Sequence, residues 1–565
     1  MELIWSGMNR GLLCPGYQRP LRWSQKYEKA AQVTTSACVS PTLNLSTPVS
    51  RGHSPSDRSA KLAPSRRTGP GTLGGSGLDA AKDPTQPTGI PAVQVEESYS
   101  CASRSISLRI ASARRVSPSA FRESVLFVQC YSSLLARVLS IYDGLFNPFR
   151  AAALSKWGRS SLLFSVFKFF VGVYRMACHS SSQLRLAMDE ARLETLGQLS
   201  VNLSSVTNWV ATQNNDVLLV INMFGLSSSW YDLSDLGLEH YTAAAALVRE
   251  GHGITSRNRR FFEEFLVYWW MMLSFAHSSD PRHPQNPPTL SHKSSTEPRM
   301  PHPLTGVSPE SQLLVGMVAR LVLSQRRIAL EQDTTTADAV LISVANVKMA
   351  RHLEHELVSL QLPPADLILD PGDPHTSVQD LLEMARAYRM GGLLLLYHAY
   401  PDLLTNNAYC SPSFQATNPA FSHPGGKRSR LRSLAFDVLH LLGQISPNSG
   451  TRTIEAILLV IVSGELSLKA DATQPPTGNT TIDASPYPSS NTESCDSSKI
   501  STRQAVLNAR AVVIARFERI QAILPFGTIR RMRSLVLETW RLMDSGFDVS
   551  WVDLLIMNKW EFLMI

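Results

Sequence analysis

Cysteine is scarce in this 565-residue chain. The seven thiols, Cys14, Cys38, Cys101, Cys130, Cys178, Cys410 and Cys495, are scattered and form no Cys-x-x-Cys pair. An odd, dispersed set excludes a disulfide framework and predicts reduced cysteines, packed mostly as small apolar residues. Long hydrophobic runs are missing too. The greasiest stretch, LLFSVFKFFVGVY from Leu162 to Tyr174, carries Lys168 in its middle and falls short of the roughly 20 apolar residues of a spanning helix. It is predicted to be a buried helix, and no membrane partner is expected. The apolar start Leu3–Trp5 is broken by Ser6, Gly7, Asn9 and Arg10 before any secretory signal can form, which predicts an intracellular protein. Strand signals are few. DVLLVINMFGL (216–226) reads either way, but its neighbours carry helical patterns.

Catalytic signatures are equally sparse. In HLEHE, His352 and His355 lie one turn apart beside Glu354 and Glu356, but the His-Glu-x-x-His spacing and a third ligand are missing, so a solvated helix face is expected. Glu263 and Glu264 are adjacent, about 100° apart on a helix, and cannot flank one bond as paired catalytic carboxylates do. They read as helix polarity. No Gly-x-Ser-x-Gly elbow and no aspartate-rich magnesium motif is written. The glycines Gly71, Gly74, Gly75 and Gly77 lack the Lys-Ser/Thr ending of a phosphate loop. An enzyme is therefore not expected.

Charge is distributed unevenly. Residues 1–120 hold 15 Lys and Arg against 7 Asp and Glu, a net +8 that equals the charge of the whole chain, so the rest is balanced. A basic head on a neutral body points to a polyanion partner for the head alone. Within the head, residues 31–119 are rich in Ser, Pro, Thr and Gly without apolar periodicity, the composition of a disordered linker. From residue 120 onward apolar residues recur at helical spacing, and the body 120–565 reads as all-α, with loops near 278–303 and 472–498. RNRRFFEEFLVYWWMMLSFAH (257–277) is apolar nearly all round and predicts a central helix. Near the end, Ser501 and Gln504 have capping-box spacing, a helix is expected from Thr528 to Asp544 with Gly546 at its C-cap, and a last helix opens at Ser550 and runs to the terminus. Trp540, Trp551, Trp560 and Phe562 are its expected structural core. Lys427, Arg428, Arg430 and Arg432, preceded by SHPGG, form the best candidate for a nuclear import signal, in a loop.

Several of these stretches resemble one family. SIYDGLFNPFR (140–150), MFGLSSSWYDLSDLGLEHYTAAAALVREG (223–251), RNRRFFEEFLVYWWMMLSF (257–275), AFDVLHLLGQI (435–445) and LVLETWRLMDSGFDVSWVDLLIMNKWEFLMI (535–565) look like the fungal-specific transcription factor regulatory domain. The nearest subgroup is that of the acriflavine sensitivity control protein. The resemblance covers about residues 120–565. It implies an all-α regulatory region in the nucleus, preceded by a binuclear zinc cluster of six cysteines that docks a short helix in the DNA major groove. In that light Cys14, followed by PGYQRPLRWSQKYEKA, looks like the last ligand of a cluster whose other five cysteines are absent, with residues 1–30 the remnant of its end. One thiolate cannot hold two tetrahedral zinc ions, so no cofactor is expected in this chain, and zinc only if cysteines are encoded upstream. Arg19, Arg22, Lys26 and Lys29 would contact DNA backbone weakly. The other partners the resemblance implies are transcription machinery or co-regulators, a small effector and a second copy of the chain. A helical scaffold or co-regulator without DNA binding is the alternative.

Overall fold

A helix that is apolar on every side persists in water only when other elements enclose it. The helix over Ser256–Phe275 is of this kind, buried without interruption from Phe262 to Phe275. In a computed structural model, the described residues are 118–565 apart from 145, 180, 205–210, 252–253, 277–279, 281, 292–297, 332–335, 406–425, 470–491 and 565. Cys14, Arg19, Arg22, Lys26 and Lys29 lie outside them, as does the expected linker 31–119 except Pro118 and Ser119, which open the first helix.

Sixteen α-helices and no strand occur among the described residues. They are α1 (Pro118–Cys130), continued by a π-helical turn over Tyr131–Leu135, α2 (Pro148–Lys156), α3 (Ser161–Cys178), α4 (Ser182–Ser204), α5 (Ala211–Leu226), α6 (Ser228–Tyr231), α7 (Leu238–Glu250) and α8 (Ser256–Phe275). The second half holds α9 (Pro309–Glu331), α10 (Ala337–Ser359), α11 (Val378–Ala399), α12 (Lys427–Gln444), α13 (Ala456–Ser463), α14 (Thr492–Ile523), α15 (Gly527–Asp544) and α16 (Trp551–Met557). The ambiguous DVLLVINMFGL is helical, within α5. The greasy stretch is α3. Its length and composition would suit a membrane span, but half of its apolar window is buried inside the protein, and Lys168 pairs with Glu194 on α4.

Packing is organised around α8. On one side lie α5 and α7, on another α9, and from α9 the chain of contacts runs through α11 to α12 and α13. The two central indoles are seated on glycines. A methyl group at Gly225 would come within 2.2 Å of the Trp269 ring, and one at Gly316 within 2.7 Å of the Trp270 ring. Gly237, whose φ of +65° suits glycine, would bring a side chain within 2.2 Å of the Gly225 carbonyl. The small residues thus set how closely α5 and α9 approach α8.

The conspicuous segment 140–150 stitches loops together. Ile141 N–H donates to Pro303 O (2.8 Å), Tyr142 O–H to Pro301 O (3.0 Å) and Asp143 N–H to Asp373 Oδ2 (2.8 Å). Asn147 caps α2 by accepting from the N–H groups of Phe149 and Arg150, and Arg150 grips Asp143 through Nε and Nη2. The 278–303 connection is also anchored, since Arg299 exchanges backbone bonds of 2.9 Å with Leu367 and Leu369.

Three expectations near the C-terminus need correction. First, α14 begins at Thr492, inside the expected loop 472–498, so Ser501 and Gln504 sit within a helix and not at its start. The capping-box spacing does not by itself open a helix where the chain is already helical before it. Second, α15 ends at Asp544 with Gly546 at φ +102°, but the last helix does not run to the terminus. Ser550 and Asp553 form the capping box of α16, which stops at Met557. There Trp560 N–H donates to Leu555 O (3.0 Å) and Lys559 N–H to Ile556 O (3.1 Å), the paired bonds of a Schellman motif, with Lys559 left-handed at φ 50°. Third, Trp560 therefore lies beyond the helix and is half-buried, not core, with Arg531 over its ring at 5.4 Å. Trp540, Trp551 and Phe562 are 5%, 3% and 1% exposed, and Trp540 Nε1 donates to Ser463 O (3.0 Å). Asp553, 1% exposed, also holds Arg326 of α9, locking α16 across the body.

The Schellman turn generates a prediction. A left-handed lysine costs roughly 1–2 kcal/mol, part of which glycine gives back through its freer unfolded chain. Lys559→Gly should raise the unfolding free energy by about 0.5–1 kcal/mol. An unchanged or lower value in chemical denaturation would show that the turn is not strained.

Candidate functional site

Faces of α9 and α10 diverge from the end of α8 and leave a cleft of about 570 Å³. On α9 the lining residues Met317, Arg320, Leu321, Ser324, Arg327 and Ile328 recur three and four apart, one face of a helix. On α10 they are Asn346, Met349 and Leu353, again one face. Trp270 and Ser274 of α8 line it too, and His283, Gln285 and Pro287 form a rim from the connection after α8. His283, 6% exposed, is fixed through Nε2 to Leu273 O (3.1 Å), and Asn346 Nδ2 donates to Gln325 Oε1 (2.9 Å).

The electrostatics of the cleft are one-sided, because two arginines line it and no carboxylate does. Arg320 donates through Nη1 to Pro284 O and through Nη2 to Gln285 Oε1 (2.6 Å), both neutral, and its guanidinium stands 5.7 Å over the Trp270 ring. Burial pulls its pKa below the ordinary arginine value. Arg327 differs, since its charge is felt by the Glu561 carboxyl. The arrangement has donors and apolar walls and is suited to binding. A second cavity, about 30 Å³ between Phe149, Met223, Trp230, Phe265 and Tyr268, is nearly all apolar and too small for an organic ligand.

The residues singled out from sequence do not gather at this cleft. His352 and His355 are exposed on α10, while Glu354 between them is buried and accepts from Tyr397 O–H (2.8 Å). No metal-like group of three His, Cys, Asp or Glu occurs among the described residues. Glu263 and Glu264, expected only to give the helix polarity, tie it to the connection that follows. Both are buried, Glu263 accepting from the N–H and O–H of Ser291 (3.0 and 2.9 Å), Glu264 from Arg260 (2.8 Å) and Thr305 (3.1 Å). Lys427, Arg428, Arg430 and Arg432 form the first turns of α12 and no loop, because the apolar period of Leu431, Leu434, Ala435 and Val438 extends the helix back through them. Arg432 is buried, Arg430 donates to Leu404 O (3.3 Å), and Lys427 pairs with Asp402.

Sequence reasoning missed two features. One is the cleft itself, whose signal was Arg320 and Arg327 on the inner face of a largely apolar helix. The other is Glu455, buried before α13 and held by Arg516 (2.8 Å). Burial pushes its pKa up to about 7 against the pull of Arg516 and Arg452. A perturbed carboxyl often marks a site, but this one is locked in an ion pair away from the cleft. The first half of α10 exposes Val340, Leu341, Val344 and Val347, an apolar face beside the cleft.

Compared with known proteins, residues 125–463 and 493–565 match the model of one family, described as the fungal specific transcription factor domain. No curated protein and no solved structure matches the chain.

The connection tied down by Glu264 also carries His302, 5% exposed, whose Nδ1 accepts from the N–H groups of Leu304 and Thr305 (both 3.2 Å). Burial lowers its pKa from 6.5 to about 3. The unfolded chain therefore binds a proton that the folded chain refuses, and the stability is present above pH 6.5 and lost as pH falls toward 3. Between pH 7 and pH 5 the wild type should lose about 2 kcal/mol more than His302→Asn, which keeps an acceptor but no titration. Equal losses in denaturant titrations at the two pH values would show that His302 is not held neutral.

Proposed function

Because the chain belongs to the fungal specific transcription factor domain family, we propose that it is a regulator of transcription that acts in the nucleus, its helical body binding co-regulators or the transcription machinery. Family membership over most of the chain carries this reading, and it favours a regulator over an enzyme. The body's contribution is recruitment, for which the exposed apolar face of α10 and the charged surface of α12 offer contact area. Nearness to the acriflavine sensitivity control subgroup belongs to the same reading, as do a small effector and pairing with a second copy.

The residues present do not fit a binuclear zinc cluster. Such a cluster takes six cysteines, and only Cys14 stands at the corresponding place in this sequence. The head over residues 1–30 then contributes charge and no base readout. A co-regulator carried to DNA by its partners is the alternative reading, and a factor whose cluster cysteines are encoded upstream would instead find its own operator.

A fluorescent fusion expressed from the native locus should be nuclear, and deletion of the gene should change a limited set of transcripts. A cytoplasmic fusion with unaltered transcripts contradicts the proposal. Replacing Lys427, Arg428 and Arg430 by alanine tests the import role separately, and unchanged nuclear entry removes it. For the head, Arg19, Arg22, Lys26 and Lys29 can neutralise about four phosphates, which gives a log–log salt slope of about −4 in DNA binding without sequence preference. Selection of one duplex over scrambled DNA at moderate salt would overturn that expectation.

A further inference from the structure

We propose that the cleft between α8, α9 and α10 binds a small organic carboxylate with an apolar body. The volume, about 570 Å³, falls within the roughly 300–1,000 Å³ of small-molecule sites. Shape alone would admit any apolar ligand, and Arg320 supplies the preference. A guanidinium taken partly out of water is normally neutralised by a carboxylate, yet Arg320 has none among the described residues and is satisfied only by a backbone carbonyl and an amide oxygen. Two of its five N–H donors are occupied in this way, which fixes the plane of the fork and leaves three donors for an incoming anion. A fork already held in place loses little freedom on binding, so its charge-assisted bonds are realised almost in full.

Arg327, the other cation of the cleft, acts on the Glu561 carboxyl, whereas Arg320 is bonded only to neutral groups, so the anion preference is placed on Arg320. The apolar part of the surface comes from Met317, Leu321, Met349 and Leu353, beside the polar Ser274, Ser324 and Asn346. Thioether and aliphatic walls of this kind adapt to a flexible chain. The site thus fits an acid whose carboxylate meets Arg320 while its hydrocarbon part lies between α9 and α10.

Calorimetric titration of the full chain with decanoate and with decanamide, its neutral counterpart, tests the inference. Saturable decanoate binding at a single site, at least about tenfold tighter than decanamide, is expected, since a hydrogen-bonded charge contributes roughly that factor or more. Arg320→Gln should erase the preference while the unfolding midpoint stays near that of the wild type. Met349→Trp, at a half-exposed position on the rim, should weaken both ligands without touching the cation. The inference is overturned if the wild type does not bind decanoate saturably, if the two ligands bind equally, or if Arg320→Gln keeps the preference. Binding to the purified chain is independent of nuclear entry, so the site and the regulator reading can fail separately.

Discussion

Enclosure of α8 is the constraint from which the rest of the body follows. The stretch Phe262–Phe275 of α8, buried without interruption, cannot lie on a surface, so it forces neighbours onto all its sides, and α5, α7 and α9 supply them. Its two central tryptophans then dictate glycine where those neighbours come closest, at Gly225, Gly237 and Gly316. Farther out, α11 and α13 are themselves buried on nearly every side, and helices such as α15 cover the inner layers with one face. Polar groups caught inside are satisfied locally. Glu263 and Glu264, on the central helix itself, hold the long connection that follows it, and Asp553 performs a similar service for α16 by capping it and gripping Arg326.

Much of this was legible in the amino-acid pattern, for physical reasons that differ from place to place. The all-round apolarity of 257–277 leaves only a buried helix, and helical periods dominate after residue 120, so the all-α class is readable. The end of α16 was not. Grease continues to Met564, and nothing in NKW announces that Lys559 will take a left-handed conformation, a position usually given to glycine or asparagine. The burial of Glu263 and Glu264 was hidden because their partners, Ser291 and Thr305, lie 28 and 41 residues away. The start of α14 was missed because a spacing rule for caps was applied where the chain was already helical.

The candidate site was hidden for a related reason. Each wall of the cleft reads as an ordinary core-facing stripe, and only the divergence of α9 and α10 in space separates a ligand surface from a packed one. Arg320 and Arg327 break the apolar pattern on that face, and charged residues on a long helix are too common to be informative without their surroundings. The motifs that attracted attention, such as SIYDGLFNPFR and the C-terminal tryptophans, prove to be stitching: Tyr142, Asp143 and Asn147 bind loops, and Trp540 bonds to the end of α13. The segments that resemble the family thus serve this chain's architecture.

Enclosure of α8 implies a rigid inner layer with looser walls outside it. Native-state hydrogen exchange of the full chain measures this directly. Amides over Phe262–Phe275 should exchange only through global unfolding, with the largest protection in the molecule, while those over the first half of α10, where Val340, Leu341 and Val344 face solvent, should open at a distinctly lower free energy. Exchange of the α8 amides by local opening, at or below the free energy of α10, would contradict it.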